Sequence, residues 1–484
     1  MHRSALQPCV TDFVTNTGTP SITIQPQMIR FFEQLVISIW NLLNRPRSKR
    51  PNGAGLSLGY QVMEGQTTRQ RVTLSQTRRT MHIAVLGKTG SGKSSLLRYL
   101  CLQDIAAGRG FLFFDLHGED TKFLLRAIAA REKELKVHLS DRLIVISPAD
   151  PGSSVGLNPL EQAEPDFVQI AEFAEILKVR WGLDHFGART DELLRNSLYV
   201  LSANGLTLLE LGPLLTDSGF RAHCLKNVPN AEIRQYFEVR YGQASDPMKA
   251  VMREPILNKT SAFTADPRFR HIVGQAKSTF SIREAMDQGY WIIADLPKGR
   301  LGAQSLTLAS LLLTIAKNAI FTRDSRSLFT LYCDEFQNLI GQSNDIETVL
   351  SEARKFGVSV VAANQFLDQY PADMRAAVLS VGTHIFFQLS SADAGTVAQT
   401  LDGGKSLAEK LKNLPQRRFV VKSGAEHWRE ASVPTVDDPR ANCSDLLNRS
   451  RGLRALPRPQ VEREIAARHA ALSKTTDEVL DGWE

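Results

Sequence analysis

The sequence predicts an α/β fold with a mostly parallel sheet, interrupted by an all-α insertion and preceded by a small β segment. Three observations carry this. Compact apolar strands alternate with helical periodicity from His82 to Ile146. The strand pattern stops between about Asn158 and Arg283, where apolar spacing is helical, and it returns from Tyr290 to Val421. The strands are apolar along their whole length, which is the pattern of parallel sheet covered on both faces.

Residues 1–54 read as an appendage: a polar start without the apolar centre of a secretory signal, then a helix over Met28–Leu43. Arg30, Glu33, Gln34 and Asn41 interrupt that helix, which is too short and too polar to cross a bilayer. It is expected to dock on protein, with a membrane-surface anchor as the alternative. The basic run Arg45-Pro-Arg-Ser-Lys-Arg50 reads as a solvated linker.

Residues 55–157 form the first half of the core. Short alternating segments at Gly59–Met63 and Gln70–Leu74 lead to a strand His82–Leu86, a helix Ser94–Asp104 and a strand Phe111–Asp115. A helix Thr121–Lys136 and a strand Arg142–Ile146 follow. Residues 158–283 are the insertion, with helices expected at Phe167–Trp181, Asp191–Ala203, Leu206–Leu215, Glu232–Gly242 and Asp246–Thr264.

Residues 284–440 return to the core through strands Tyr290–Asp295, Leu328–Asp334, Val358–Asn364, His384–Leu389 and Arg418–Val421, with a helix Glu347–Phe356 between two of them. Leu306–Ile320 is apolar but carries Ser310, Thr314, Lys317 and Asn318, so it reads as a buried core helix. Residues 441–484 form a basic tail, Arg- and Pro-rich at first and helical over Gln460–Ser473.

Composition excludes several classes. The 484 residues, 43% apolar and 23% charged, suit a globular chain of two or three packed units. The five cysteines (Cys9, Cys101, Cys224, Cys333 and Cys443) are odd in number and never form a C-x-x-C pair, so neither a disulfide framework nor a zinc site is expected. This is cysteine usage of a reducing cytosol. The chain is expected in the cytoplasm without a transmembrane span, or peripherally at the inner face of the cell membrane. The net charge of +7 is compatible with a polyanionic partner and decides little alone.

Chemistry enters at Gly87-Lys-Thr-Gly-Ser-Gly-Lys-Ser94, which fits G-x-x-x-x-G-K-[ST] between a strand and a helix. Gly87, Gly90 and Gly92 permit backbone angles at which successive N–H groups converge on phosphates. Lys93 brings positive charge to the β/γ-phosphates, the Ser94 hydroxyl is a ligand for Mg²⁺, and the helix adds its positive end. ATP is therefore expected on Gly87, Lys88, Thr89, Gly90, Ser91, Gly92, Lys93, Ser94 and Ser95.

The other half of the site is an acid at the end of a second buried strand, supplied by Leu328–Asp334. Asp334 is expected to hold the Mg²⁺ shell, and Glu335 to polarise the attacking water as general base. Adjacent acids of this kind mark hydrolysing ATPases better than small-molecule kinases. Asp115 is the runner-up base, with His117 and Glu119 beside it; the competing reading is a polar turn and helix cap.

At these residues the chain resembles the HerA/FtsK superfamily of ring-forming DNA-pumping ATPases, and within it the coupling proteins of conjugative type IV secretion, the TraD/TraG/VirD4 group. The resemblance runs from about Leu58 to Val421. It rests on His82 with the glycine loop, Phe113-Phe-Asp-Leu-His-Gly-Glu119, Gly187-Ala-Arg-Thr-Asp-Glu-Leu-Leu194 and Ala294-Asp-Leu-Pro-Lys-Gly-Arg-Leu-Gly302. The most discriminating pieces are Tyr332-Cys-Asp-Glu-Phe-Gln337 and Leu350-Ser-Glu-Ala-Arg-Lys-Phe-Gly357 leading to Ala363-Asn-Gln365. Glycine loops alone would not separate this family from others.

The resemblance implies a RecA-like P-loop NTPase core that assembles as a homo-hexameric ring, threads single- or double-stranded DNA through its channel and couples ATP hydrolysis to movement. It also implies roles. Gln365 would sense the γ-phosphate, since a neutral amide bonds phosphate oxygen or water without a charge penalty. Arg354 is a candidate trans-acting finger; the bland alternative is a surface ion pair with Glu352 or Glu347. Arg417 and Arg418 are further finger candidates. Lys298 and Arg300 either contact phosphates at a pore or interface or are simply solvated. A relaxase or secretion-channel protein is an expected partner. Membrane-bound members of the group carry N-terminal transmembrane helices, and none is expected here.

Two other functions fit the same residues: a VirB4-like ATPase energising secretion or assembly, and a nucleotide-gated scaffold that does not translocate. No helix-turn-helix or aromatic stacking platform is apparent, so sequence-specific DNA reading is not expected.

Overall fold

The computed structural model describes residues 55–481 apart from 163–164, 184–186 and 341–344. Met28–Leu43 and Arg45–Arg50 lie outside the described residues. The chain leads with β1 (Leu56–Met63) and β2 (Gln66–Leu74), followed by β3 (Ile83–Leu86), β4 (Gly110–Asp115) and β5 (Leu143–Ile146). After the short β6 (Ser153–Ser154), no strand occurs among the described residues until β7 (Trp291–Asp295). Then come β8 (Phe329–Cys333), β9 (Val358–Asn364), β10 (Thr383–Phe386), β11 (Arg418–Ser423) and β12 (Arg429–Ser432). The two-residue β13 (Leu456–Pro457) pairs with β6.

The main sheet has 11 strands in the order β2-β1-β12-β11-β10-β3-β9-β8-β4-β7-β5. From β10 to β5 every pairing is parallel, while β2, β1, β12 and β11 form an antiparallel margin joined through β10. The small N-terminal β segment is thus part of the main sheet.

Side-chain alternation explains the unbroken apolar strands. Phe111, Phe113, Trp291, Ile293 and Tyr332 face one core with Leu96, Leu97 and Leu100 of the helix Lys93–Ala106 and Phe123 and Leu124 of the helix Asp120–Leu135. Leu112, Phe114, Ile292, Ala294 and Leu331 face the other core, shared with the helices of the insertion. Both faces are covered, so the apolar/polar alternation of a half-exposed strand is missing.

Within 158–283 the helices Phe167–Trp181 and Asp246–Thr264 have the expected bounds. The first is capped by the Asp166 side chain, which accepts from the N–H groups of Val168 and Gln169, and ends on left-handed Gly182. Leu206–Leu215 divides instead: Thr207 and Glu210 form a capping box on a 3-10 turn, and a new helix, Leu211–Thr216, carries Pro213 in its first turn where no N–H is needed. Glu232–Gly242 divides into Ala231–Gln235 and a π-helical turn Tyr236–Tyr241. Three short helices, Ser218–Leu225, Pro267–Val273 and Ile282–Gln288, were not expected. Each starts at a side-chain cap, Asp217, Asp266 or Ser281, but is too short for periodicity to register.

Among the described residues one helix, Gln304–Thr322, is long and apolar enough to cross a membrane. It is a core helix, with Leu308, Leu311, Leu312 and Ile320 packed beneath the sheet and Lys317 paired to Glu172 at 2.7 Å. In the tail, the unexpected helix Ser444–Arg454 bonds β5 through Ser450 Oγ to the Leu143 carbonyl at 2.7 Å. The helix Arg458–Asp481 seats Val461 and Ile465 on Leu209 of the insertion.

A buried polar knot lies at the opposite end of β3 from the glycine loop. Arg79 and Asp104, both without exposed side-chain surface, form a bidentate pair at 2.7–2.8 Å. Arg79 also donates to Thr330 Oγ1 at 2.9 Å, Tyr332 donates to Asp104 at 2.7 Å, and Ser359 Oγ donates to the Arg79 carbonyl. The knot ties the C-terminal end of the loop helix to β8 and β9.

His82, at left-handed φ 66°, is buried with Nδ1 accepting from Val360 N–H at 3.0 Å. Burial, and then the Arg354 charge, push its pKa down to about 4. The native state keeps it neutral while the unfolded chain takes a proton near 6.5. The associated stability is therefore full above pH 6.5 and lost as pH falls towards 4, up to about 3 kcal/mol. His82→Asn, which tolerates left-handed backbone and keeps an acceptor for Val360, is expected to flatten this acid limb in unfolding midpoints measured against pH. An unchanged limb would count against the assignment.

Candidate nucleotide site

The C-terminal ends of β3, β9 and β8 lie side by side, and in parallel α/β sheets ligands bind beyond those ends. The glycine loop leaves β3 with its N–H groups already placed: Gly87 N–H donates to the Asn364 carbonyl and Lys88 N–H to the Gln388 carbonyl at 2.9 Å. A Cβ on Gly87 would lie 2.6 Å from Phe387 Cβ, and one on Gly92, at φ 120°, 2.9 Å from Arg417 Cα. Lys93 Nζ curls back to the Gly87 carbonyl at 2.6 Å and the Lys88 carbonyl at 3.3 Å. Thr89, Gly90 and Ser94 are exposed at the mouth, Lys88, Gly92 and Ser95 half-buried, and Ser91 Oγ is buried without a hydrogen-bond partner.

Asp334 and Glu335 follow β8 directly, both buried. Burial, together with the Glu335 charge, pushes Asp334 up to about 6, against the pull of Lys93. The Lys93 ammonium is itself lowered by burial and supported by the two carboxylates. Glu335 sits in left-handed backbone at φ 53°, a costly conformation for a non-glycine residue and one that turns its side chain away from the strand line. Its Oε1 accepts from Gln365 Nε2 at 2.5 Å, and Thr89 Oγ1 donates to Gln365 Oε1 at 2.9 Å. Loop, amide and acid are thus one hydrogen-bonded chain. Among the described residues no group of three His, Cys, Asp or Glu side chains could cage a metal ion. One carboxylate and one hydroxyl, with phosphate oxygens and water, fit the way Mg²⁺ is held.

Other candidates sort differently. Asp115 Oδ1 accepts from the N–H groups of His117 and Gly118, and its Oδ2 from the N–H and hydroxyl of Thr121, so the carboxylate closes a turn and caps a helix. His117 is exposed, and its charge reaches Asp334. Glu119 is exposed, 3.9 Å from Arg98. Arg417, at φ 65°, donates its N–H to the Ser91 carbonyl at 2.7 Å and its guanidinium to Thr435. Arg418 bonds the Gly65 carbonyl and pairs with Glu430.

Arg354 precedes β9, at the opposite edge of the sheet from Gln365, about 20 Å away along the strand. It is exposed, and Glu352 pairs with Lys355 instead; the Glu347 side chain lies outside the described set. Lys298 and Arg300 are exposed on a short helical turn after β7, and Lys298 N–H bonds the Leu116 carbonyl.

Two family models match the sequence: the central domain of helicase HerA over residues 58–181, and the DNA-binding domain of type IV secretion-system coupling proteins over 247–431. Over these residues the chain is similar to HerA-type and coupling-protein P-loop ATPases. No curated protein matches the sequence. Among solved structures, plasmid coupling protein TrwB with the ATP analogue ADPNP superposes with TM-score 0.56 at 17% identity, covering 82% of this chain and 98% of that one. TrwB with ADP and Mg²⁺ gives 0.55 at 16%, covering 81% and 99%. VirB4 of Thermoanaerobacter pseudethanolicus gives 0.55 at 17%, covering 80% and 98%. At these identities the likeness speaks for the fold, a RecA-like P-loop core.

Two residues at this site were not singled out from sequence. Gln337 Nε2 donates to Glu335 Oε2, and Gln416 Nε2 donates to the Gly90 carbonyl at 3.0 Å. Gln337 stood inside the acidic motif without an assigned role. Gln416 has no local signal, because only the return of β11 brings it to the loop.

Proposed function

We propose that the chain is an ATP-hydrolysing ring motor that translocates DNA without sequence specificity, in the setting of conjugative transfer. The observation that carries this is the single chain of contacts from Thr89 through Gln365 to Glu335, with Asp334 and Lys93 beside it, in a chain matched by a coupling-protein DNA-binding domain. Lys93 neutralises phosphate charge when it leaves its two carbonyls, and the loop N–H groups from Gly87 to Ser95 orient the triphosphate. Ser94 and Asp334 would hold Mg²⁺, which would supply charge stabilisation at the phosphate oxygens. Glu335 takes the proton of the attacking water, and Gln365 reports the γ-phosphate to the neighbouring strand. Arg354 lies far from its own loop, so any role at ATP is at a neighbouring subunit's site, as a homo-hexamer supplies. The motor works in the cytoplasm or at the inner face of the membrane, where Met28–Leu43 docks it to a membrane or protein, with a relaxase or secretion-channel protein as partner.

The VirB4 match favours a second reading, an ATPase that energises secretion or assembly without handling DNA. ATP turnover with and without single- and double-stranded DNA separates them. The motor is expected to be stimulated several-fold, with the stimulation falling steeply as salt rises, because phosphate contacts release counterions. Turnover indifferent to both nucleic acids at low and moderate salt would leave the VirB4-like reading or the nucleotide-gated scaffold.

A further inference from the structure

Both oxygens of the Glu335 carboxylate are capped by amides, and the two amides differ. Gln365 Nε2 holds Oε1 and is itself tied to the phosphate loop by Thr89, so its grip depends on what occupies the loop. Gln337 Nε2 holds Oε2 from within the same turn, Phe336–Asn338, that follows the acid. Gln337 Oε1 is shut off from solvent and has no hydrogen-bond partner among the described residues.

A buried acceptor left unpaired costs about 1–3 kcal/mol. An apolar side chain of the same length would avoid that cost, so the fold alone does not call for glutamine here. What the amide supplies is one N–H donor to one carboxylate oxygen, next to a backbone already held at φ 53°.

We propose that Gln337 is a positioning residue for Glu335. It fixes Oε2 and hence the carboxylate plane, while Oε1 exchanges Gln365 for the attacking water once phosphates fill the loop. The inference rests on the reading of Glu335 as general base. It divides the two amides by task, Gln337 constant through the cycle and Gln365 released in it.

The test uses the full chain with DNA present and compares Gln337→Met, close in length and volume, with the parent. Gln337→Met is expected to lower kcat about 10-fold, as the loss of a hydrogen bond to a charged group implies. KM for ATP, affinity for Mg²⁺–ADP and the unfolding midpoint should not worsen, since the orphaned acceptor is gone. In a Glu335→Gln background, measured by single turnover, the same change should cost nothing further, because a residue that acts through Glu335 has nothing left to position. An unchanged kcat overturns the proposal. So does an equal loss on both backgrounds, or a fall in kcat matched by a rise in KM and a lower midpoint, which would mark a merely structural role. If Glu335→Gln alone turns over at the parental rate, the reading of Glu335 as base fails first and Gln337 with it. A dead Glu335→Gln with a parental Gln337→Met sinks only the role of Gln337.

Discussion

Glu335→Gln is expected to lower ATP turnover by about 10²–10⁴-fold while leaving nucleotide bound. The substitution keeps size and shape but removes the carboxylate that Gln365 joins to the phosphate loop. Lys93, Ser94 and Asp334 stay in place, so equilibrium binding of a non-hydrolysable ATP analogue should hold. Binding should hold best at mildly acid pH. The Glu335 charge is part of what pushes Asp334 up to about 6, so its removal lets Asp334 shed its proton more readily and bind metal. Steady-state turnover beside analogue binding checks both halves. Turnover within a few-fold of the parent would remove Glu335 as base, and Asp115, whose four accepted hydrogen bonds already occupy it, is a poor replacement.

Asp104→Ala should have the largest effect on stability, about 3–5 kcal/mol. It strands the Arg79 guanidinium, which has no exposed surface, and takes the acceptor from Tyr332. Replacing both partners, Arg79→Met with Asp104→Leu, should recover part of the loss, because the Arg79 charge is no longer buried alone, while Tyr332 still lacks its acceptor. Denaturant midpoints of the two variants and the parent decide this. A loss below about 1 kcal/mol for Asp104→Ala would mean that water reaches the knot.

The parallel strands were legible because burial on both faces leaves them mostly apolar: Phe111–Asp115 and Val358–Asn364 read as strands from composition alone. β12 was not, since Arg429-Glu-Ala-Ser432 buries only Ala431 and owes its extended form to pairing between β1 and β11. The glycine loop and acid pair were legible because phosphate chemistry fixes residue type and spacing together. The arginines were not, because partners from distant segments decide their use. Arg417 braces its own loop through its backbone, and Arg418 is spent on Gly65 and Glu430. Asp115 could be read as base or cap, and only the positions of Gly118 and Thr121 choose the cap.

The backbone of the glycine loop is bonded to backbone that comes much later, Gly87 to Asn364, Lys88 to Gln388 and Ser91 to Arg417, with Val433 N–H closing on the Arg417 carbonyl. During synthesis the motif emerges early, yet these anchors follow it only after about 280, 300 and 330 further residues. Contacts of such long range form late. A ribosome-bound fragment ending before β9 should therefore fail to retain ATP, although it contains the whole glycine loop, because Asn364, Gln388 and Arg417 are all still missing.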